Sequence, residues 1–179
     1  MWALACAGCD NTEVFEDLSK ALRPHLNVIS DNSLAQIYVA TIYLRLHWPG
    51  QFELFEQIHL RSPLKKATLS PSPMRQQVSS MLQDLGWTHT MDYNTDQGFF
   101  FDFAQIHPDH RAIDFHGPHD TLQDLSSGQI TPSGAADFKL RLARQCGWKC
   151  TSLSSHEWTQ ADNQADREQL LVEKLNAVH

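Results

Sequence analysis

Asp102, Asp114, His116 and His119 are the residues of this 179-residue chain whose types and spacing point most directly to chemistry. They fall within one stretch, Gly98 to His119, which reads GFFFDFAQIHPDHRAIDFHGPH. Phe99, Phe101 and Phe103 alternate with Phe100, Asp102 and Ala104, and Ala112, Asp114 and His116 alternate with Ile113 and Phe115. That two-residue period marks half-buried strands. His107-Pro108-Asp109-His110 reads as the turn between them, and Gly117-Pro118 breaks the second strand. Pairing Asp102 with Asp114 sets Phe101 opposite Phe115 and Phe103 opposite Ile113, and it requires an odd-numbered loop. One face is then apolar and the other bears Asp102, Asp114 and His116. A one-residue slip mixes the faces, so the pattern selects this register. Two carboxylates on neighbouring strands, with a histidine beside one, can bind a divalent metal. A solvated sheet face kept soluble by its acids is the plainer reading, and on these residues alone it is favoured.

The elements that must position this hairpin can be read from capping and periodicity. Asp10-Asn11-Thr12 caps a helix to about Leu22. Ser30-Asp31-Asn32-Ser33 caps a second, in which Leu34, Ile37, Tyr38, Thr41 and Ile42 recur at helical spacing. Phe52, Phe55, Ile58 and His59 suggest a third, followed by a loop from Ser62 to Pro71. Ser72-Pro73 opens a fourth helix carrying Met74, Val78, Met81, Leu82 and Leu85, with Gly86 at its end. Beyond it come a short strand at Trp87–Met91 and the hairpin. Next are a loop at Ser126-Ser127-Gly128 and a helix entered through Thr131-Pro132-Ser133-Gly134. A strand over Trp148–Leu153 and a final helix from about Asp162 to Val178 close the chain. The expected fold class is α+β: an N-terminal helical bundle over residues 1–95 and a C-terminal α/β domain with a central β-hairpin over 96–179.

Composition narrows the possibilities. With 41% hydrophobic and 20% charged residues the chain suits a folded domain rather than a disordered one. Its apolar runs are too short to cross a bilayer, so no membrane insertion is expected. The opening Met1-Trp2-Ala3-Leu4-Ala5-Cys6 has no basic segment of the secretory kind. A net charge of −7 disfavours wholesale nucleic-acid binding but leaves room for a local patch. Cys6 and Cys9 have zinc or redox spacing without a matching second pair, and Cys146 and Cys150 flank Gly147-Trp148. Reduced thiols are the expectation.

Four local features together resemble the RAP domain, an RNA-binding module of organellar proteins often found behind FAST-kinase-like or octotricopeptide-like helical regions. They are Phe101-Asp102-Phe103, Ala112 to His119 (AIDFHGPH), Phe138 to Lys149 (FKLRLARQCGWK) and His156-Glu157-Trp158 before a terminal helix. Their order and spacing, over roughly Gly98 to Leu175, carry the likeness. Ser72 to Trp87 also resembles the helix that commonly precedes this domain. The family's fold is similar to restriction-endonuclease-like PD-(D/E)XK and very-short-patch-repair nucleases. There, acidic groups on neighbouring strands hold a metal that activates water. Asp102 and Asp114 match those acidic positions. The chain departs at His116, where the family usually has Asp, and it lacks the lysine of the nuclease motif's third place.

The resemblance implies an organellar RNA-binding protein, mitochondrial or alternatively plastid, acting in RNA processing, stability or translation. Lys139, Arg141, Arg144 and Lys149 form the densest basic stretch, with Arg111 at the hairpin tip, and these are the expected RNA contacts. Trp148 and Trp158 are candidate stackers, with a core role favoured for Trp148. A second reading is a subunit of an organellar ribosome or another large assembly, partnered by ribosomal or other proteins. A third is a metal-dependent endoribonuclease, with Asp102, Asp114 and His116 catalytic and Mg2+ or Mn2+ held by Asp102 and Asp114. His116 then serves as ligand or base. The departures from the nuclease pattern place hydrolysis behind binding.

Overall fold

A computed structural model describes residues 1–50 and 72–178, apart from the side chains of residues 31 and 32. The helix expected near Phe52–His59, and the loop after it with Lys65 and Lys66, lie outside the described residues. The chain divides into two compact units, Met1–Lys66 and Ala67–His179.

The first unit is helical where described: α1 (Trp2–Cys6), α2 (Thr12–Leu22) and α3 (Asp31–His47). Asn11 caps α2 by accepting from the Val14 N–H, and Ser30 caps α3 by accepting from that of Ser33. Each leaves one less unsatisfied donor at its helix start. Phe15 is fully buried beside the rings of Tyr43 and Trp48. The Tyr43 hydroxyl donates to the Cys9 carbonyl at 2.9 Å, which ties α3 to the loop after α1.

The second unit is mixed α and β. It contains α4 (Pro73–Asp84), β1 (Thr90–Asn94), β2 (Phe100–Gln105) and β3 (Arg111–His116). A small pair follows, β4 (Thr121–Gln123) and β5 (Ile130–Pro132). The chain then runs through α5 (Gly134–Gln145), β6 (Lys149–Ser154), α6 (Ser155–Gln160) and α7 (Gln164–Asn176). The main sheet has the order β1-β2-β3-β6, antiparallel except for the parallel β3–β6 pair. Parallel neighbours need a long crossover, and the segment containing α5 supplies it. Within that crossover the sequence predicts only a loop at Ser126-Ser127-Gly128, where the structure has the β4–β5 hairpin. Its strands are three residues long, too short for period to register.

Ser72 and Ser133 cap α4 and α5, and Gly86 and Gly147 follow those helices with φ of +80° and +90°. Both turns need the left-handed conformation that glycine adopts without strain. One face of the sheet presents Phe103, Ile113 and Leu153 to Val78 and Leu82 of α4, Trp158 of α6 and Leu171 of α7. Burial of each such large side chain stabilises the unit by about 1.5–3 kcal/mol. The other face is covered by α5, where the Cys150 thiol donates to the Leu140 carbonyl and Lys139 reaches Asp114. Burial pushes that thiol up to about 11.

Two expectations are corrected here. The boundary expected at residue 95 lies earlier, because α4 and β1 belong to the second unit and α4 supplies part of its core. The hairpin is also not half-solvated. Helices cover both faces, and Asp102, Asp114 and His116 are 2%, 5% and 2% exposed.

Candidate functional site

The hairpin has the expected register, with Phe103 opposite Ile113, Ala104 opposite Ala112 and an odd-numbered loop from Ile106 to His110. Regular pairing stops at Phe103, however, and the alternation of β2 shifts phase there. Phe101 packs on Trp148, at 4.9 Å between ring centroids, beneath the Lys139 ammonium of α5. Phe103 faces the α4 side, and so does Asp102, which pairs with Arg75 of α4 at 2.8 Å. β1 shifts in step. Met91 packs on the α4 side, Tyr93 stands near Trp148, and between them Asp92 has a φ of +54° and also pairs with Arg75.

This shift separates the two aspartates. The Asp102 carboxylate takes Arg75 and accepts the Phe115 N–H at 2.7 Å, substituting for a ladder bond where β2 and β3 part. Asp114 turns to the opposite face. There Lys139 donates to both its oxygens, at 2.8 and 2.7 Å, and the His116 Nε2–H donates to Oδ2 at 3.1 Å. The proposed shared metal site is therefore not assembled: each carboxylate faces a different helix and already has a cation. Among the described residues no group of three or more His, Cys, Asp or Glu side chains is arranged to hold a metal ion.

Burial raises the Asp114 carboxyl, but the adjacent Lys139 ammonium and His116 overturn that and hold it well below the usual carboxylate range. Asp114 is thus ionised and accepts only, so the hydrogen on His116 sits at Nε2. The other ring nitrogen, Nδ1, is buried and makes no hydrogen bond to the protein. Lys139, one of the expected RNA contacts, is the counter-ion of Asp114. Sequence spacing gave no signal for that pair, because α5 and β3 meet only through the tertiary fold.

The remaining expected RNA contacts also have partners within the chain. Arg144 donates twice to the Cys150 carbonyl, fastening α5 to β6. Arg141 pairs with Asp137 one helical turn away, and both are about half exposed. Lys149 and Arg111 share Asp109 at the hairpin tip, where Arg111 first and Lys149 next lower the carboxyl. Trp148 and Trp158 are both buried, at 4% and 1% exposure. Neither is a stacking surface, so the expectation for Trp158 is corrected and a core role for Trp148 holds. His119 lies in the short turn after β3, away from any shared cluster with Asp102 and Asp114.

The carboxyl ends of β3 and β6 carry a feature that spacing did not reveal. His116 and Ser154 are register partners at the strand ends, and Ser152 lies opposite Asp114. His116, Ser152 and Ser154, together with Gln129, Thr131, His156 and Lys174, line a cavity of about 360 Å³. Lys174 pairs with Glu157 at 2.6 Å, and Glu157 closes a capping box on Ser154. Burial raises the Glu157 carboxyl, but Lys174 and the Ser154 N–H pull it below its ordinary value. A second, more apolar cavity of about 530 Å³, lined by Met74, Pro118 and Thr159, shares Thr121, Ile130 and His156 with the first.

No protein-family model matches the chain, and no curated protein matches it. No helix among the described residues is long and apolar enough to cross a membrane.

Proposed function

We propose that Ala67–His179 is a RAP-like, restriction-endonuclease-like module that binds single-stranded RNA without cleaving it, within an organellar protein of RNA processing, stability or translation. One observation carries this reading. Asp102 and Asp114 lie on neighbouring strands of a mixed sheet, yet each carboxylate is neutralised by a cation of the chain itself, Arg75 or Lys139. Metal-assisted hydrolysis needs carboxylates that converge on one ion. Here they diverge, and binding is the activity left to such a scaffold. The mitochondrial or plastid setting follows from the family analogy.

The test uses the full chain and labelled single-stranded RNA. Fluorescence anisotropy is expected to report binding in EDTA. Arg141→Ala with Lys149→Ala is expected to weaken it several-fold, since both side chains are about half exposed and the acids they pair with, Asp137 and Asp109, also stand in solvent. No cleavage is expected on adding magnesium or manganese. Metal-dependent cleavage abolished by Asp114→Ala would replace this reading with the nuclease. The acid excess and the internal pairing of the basic stretch favour one other reading, a subunit of a ribosome or other large assembly. It predicts feeble binding to free RNA together with co-sedimentation with a large particle.

A further inference from the structure

We infer that the paired cavities at the carboxyl ends of β3 and β6 form the subsite for one unpaired nucleotide of the bound RNA, whose hydrogen-bond donor is taken by His116 Nδ1. The inference rests on the RNA-binding reading and adds where and how a nucleotide is recognised. Buried polar atoms in folded proteins are nearly always partnered, and His116, 2% exposed with no protein partner at Nδ1, is a lining residue of the cavity.

The identity of that partner follows from charge and hydrogen count. Nε2 gives its hydrogen to Asp114, and Lys139 already supplies the positive charge which that carboxylate requires. In the tautomer that donates from Nε2, Nδ1 offers a lone pair and calls for an O–H or N–H. An unpaired ribonucleotide carries both kinds, in its 2′-hydroxyl and its base edge.

The shape of the site agrees with a two-part ligand. The cavity beside His116 is lined by hydroxyl, amide and charged groups and suits a sugar with its phosphate. The adjoining apolar cavity, with Met74 and Pro118, suits a base. His156 belongs to both, where its ring can stack on that base. A cavity of about 360 Å³ is in the range of small-ligand sites and admits one nucleotide, not a duplex. Its lip is formed partly by β4–β5, a pair of three-residue strands. So short a hairpin is stable only marginally by itself and can yield as the nucleotide reaches Nδ1.

The experiment compares the full chain's affinity for a short single-stranded RNA, the same sequence as DNA, and RNAs with one base varied. At fixed salt, about tenfold preference for RNA, or for one base at one position, is expected, in line with one hydrogen bond to a buried acceptor. His116→Phe is expected to reduce that preference to within twofold. Gln129→Trp, at an exposed position on the cavity wall, is expected to do the same without touching the buried cluster. It serves as the test if His116→Phe does not fold. Loss of the RNA-over-DNA preference assigns the donor to the 2′-hydroxyl, and loss of a base preference assigns it to the base edge. RNA binding with no preference of either kind, or a preference that survives in the folded variants, overturns the inference and leaves the RNA-binding reading standing. Absence of RNA binding removes that reading itself.

Discussion

Asp114 is held ionised in a place that water barely reaches, and Lys139 is the reason. The carboxylate is 5% exposed, while the lysine side chain keeps about a quarter of its surface in solvent. Replacing Lys139 by Met leaves a buried charge with only a histidine beside it. The expected cost is about 3 kcal/mol, at the low end for breaking a buried pair because the lysine is partly solvated. Asp114→Asn combined with Lys139→Met is expected to recover most of that loss, which urea denaturation of the wild type and the two variants can check. The pH dependence has a definite sign. The folded pKa of Asp114 lies below its unfolded value, so its contribution is present in full above the ordinary carboxylate range. It is lost as pH falls through that range toward the folded pKa. Wild-type stability is therefore expected to fall on acidification more steeply than that of the double variant. At this scale the sequence marked Asp102, Asp114 and His116 as unusual, because carboxylates and a histidine interrupt a run of phenylalanines. It could not mark Lys139 as their partner, since that pairing spans 25 positions and depends on how α5 crosses the sheet.

The strands show where alternation is a reliable guide and where it fails. Register was legible, because Phe103 and Ile113 must share a core face, and the structure pairs them. Facing was not, because β1 and β2 shift phase together at Asp92 and Asp102. A period-two pattern cannot reveal a coordinated shift that Arg75, from a preceding helix, holds in place. Asp102 is also the acceptor that replaces a ladder bond to Phe115. Asp102→Ala removes the partner of a backbone N–H and of a buried guanidinium together, and should destabilise the second unit by about 3 kcal/mol or more. Asp102→Asn keeps an oxygen for the Phe115 N–H and loses only the charge, so its effect should be smaller. Amide hydrogen exchange discriminates between the two: the Phe115 amide should lose protection in the alanine variant and keep most of it in the asparagine variant. Equal loss in both would mean that Asp102 acts only through Arg75. The helices were easier to read, since Ser72, Ser133 and Gly147 mark their ends by local chemistry that tertiary structure does not override.

Charge across the whole chain sets the terms for the proposed RNA binding. The net value is −7, and in the second unit acids outnumber bases. Of the five cations expected to face RNA, Lys139 and Arg144 hold the fold together, and Arg111 stands largely buried beside Asp109. Arg141 and Lys149, each about half exposed and paired with an exposed acid, are the two proposed to exchange that acid for a phosphate. Composition had indicated this much, since an acidic chain with one short basic stretch cannot wrap a polyanion. Which lysine or arginine was already committed was invisible without the tertiary partners. Counterion release then fixes a number. A single strand releases about 0.7 ion per neutralised phosphate, so two contacts correspond to a slope of about −1.4 in log affinity against log salt. Affinity measured over a series of potassium chloride concentrations should follow that shallow slope. It should become shallower in Arg141→Ala with Lys149→Ala, by about 0.7 for each phosphate contact removed. A slope steeper than about −3 would require four or more phosphate contacts. It would place the main RNA-binding surface on cations other than these two and refute the assignment of Arg141 and Lys149.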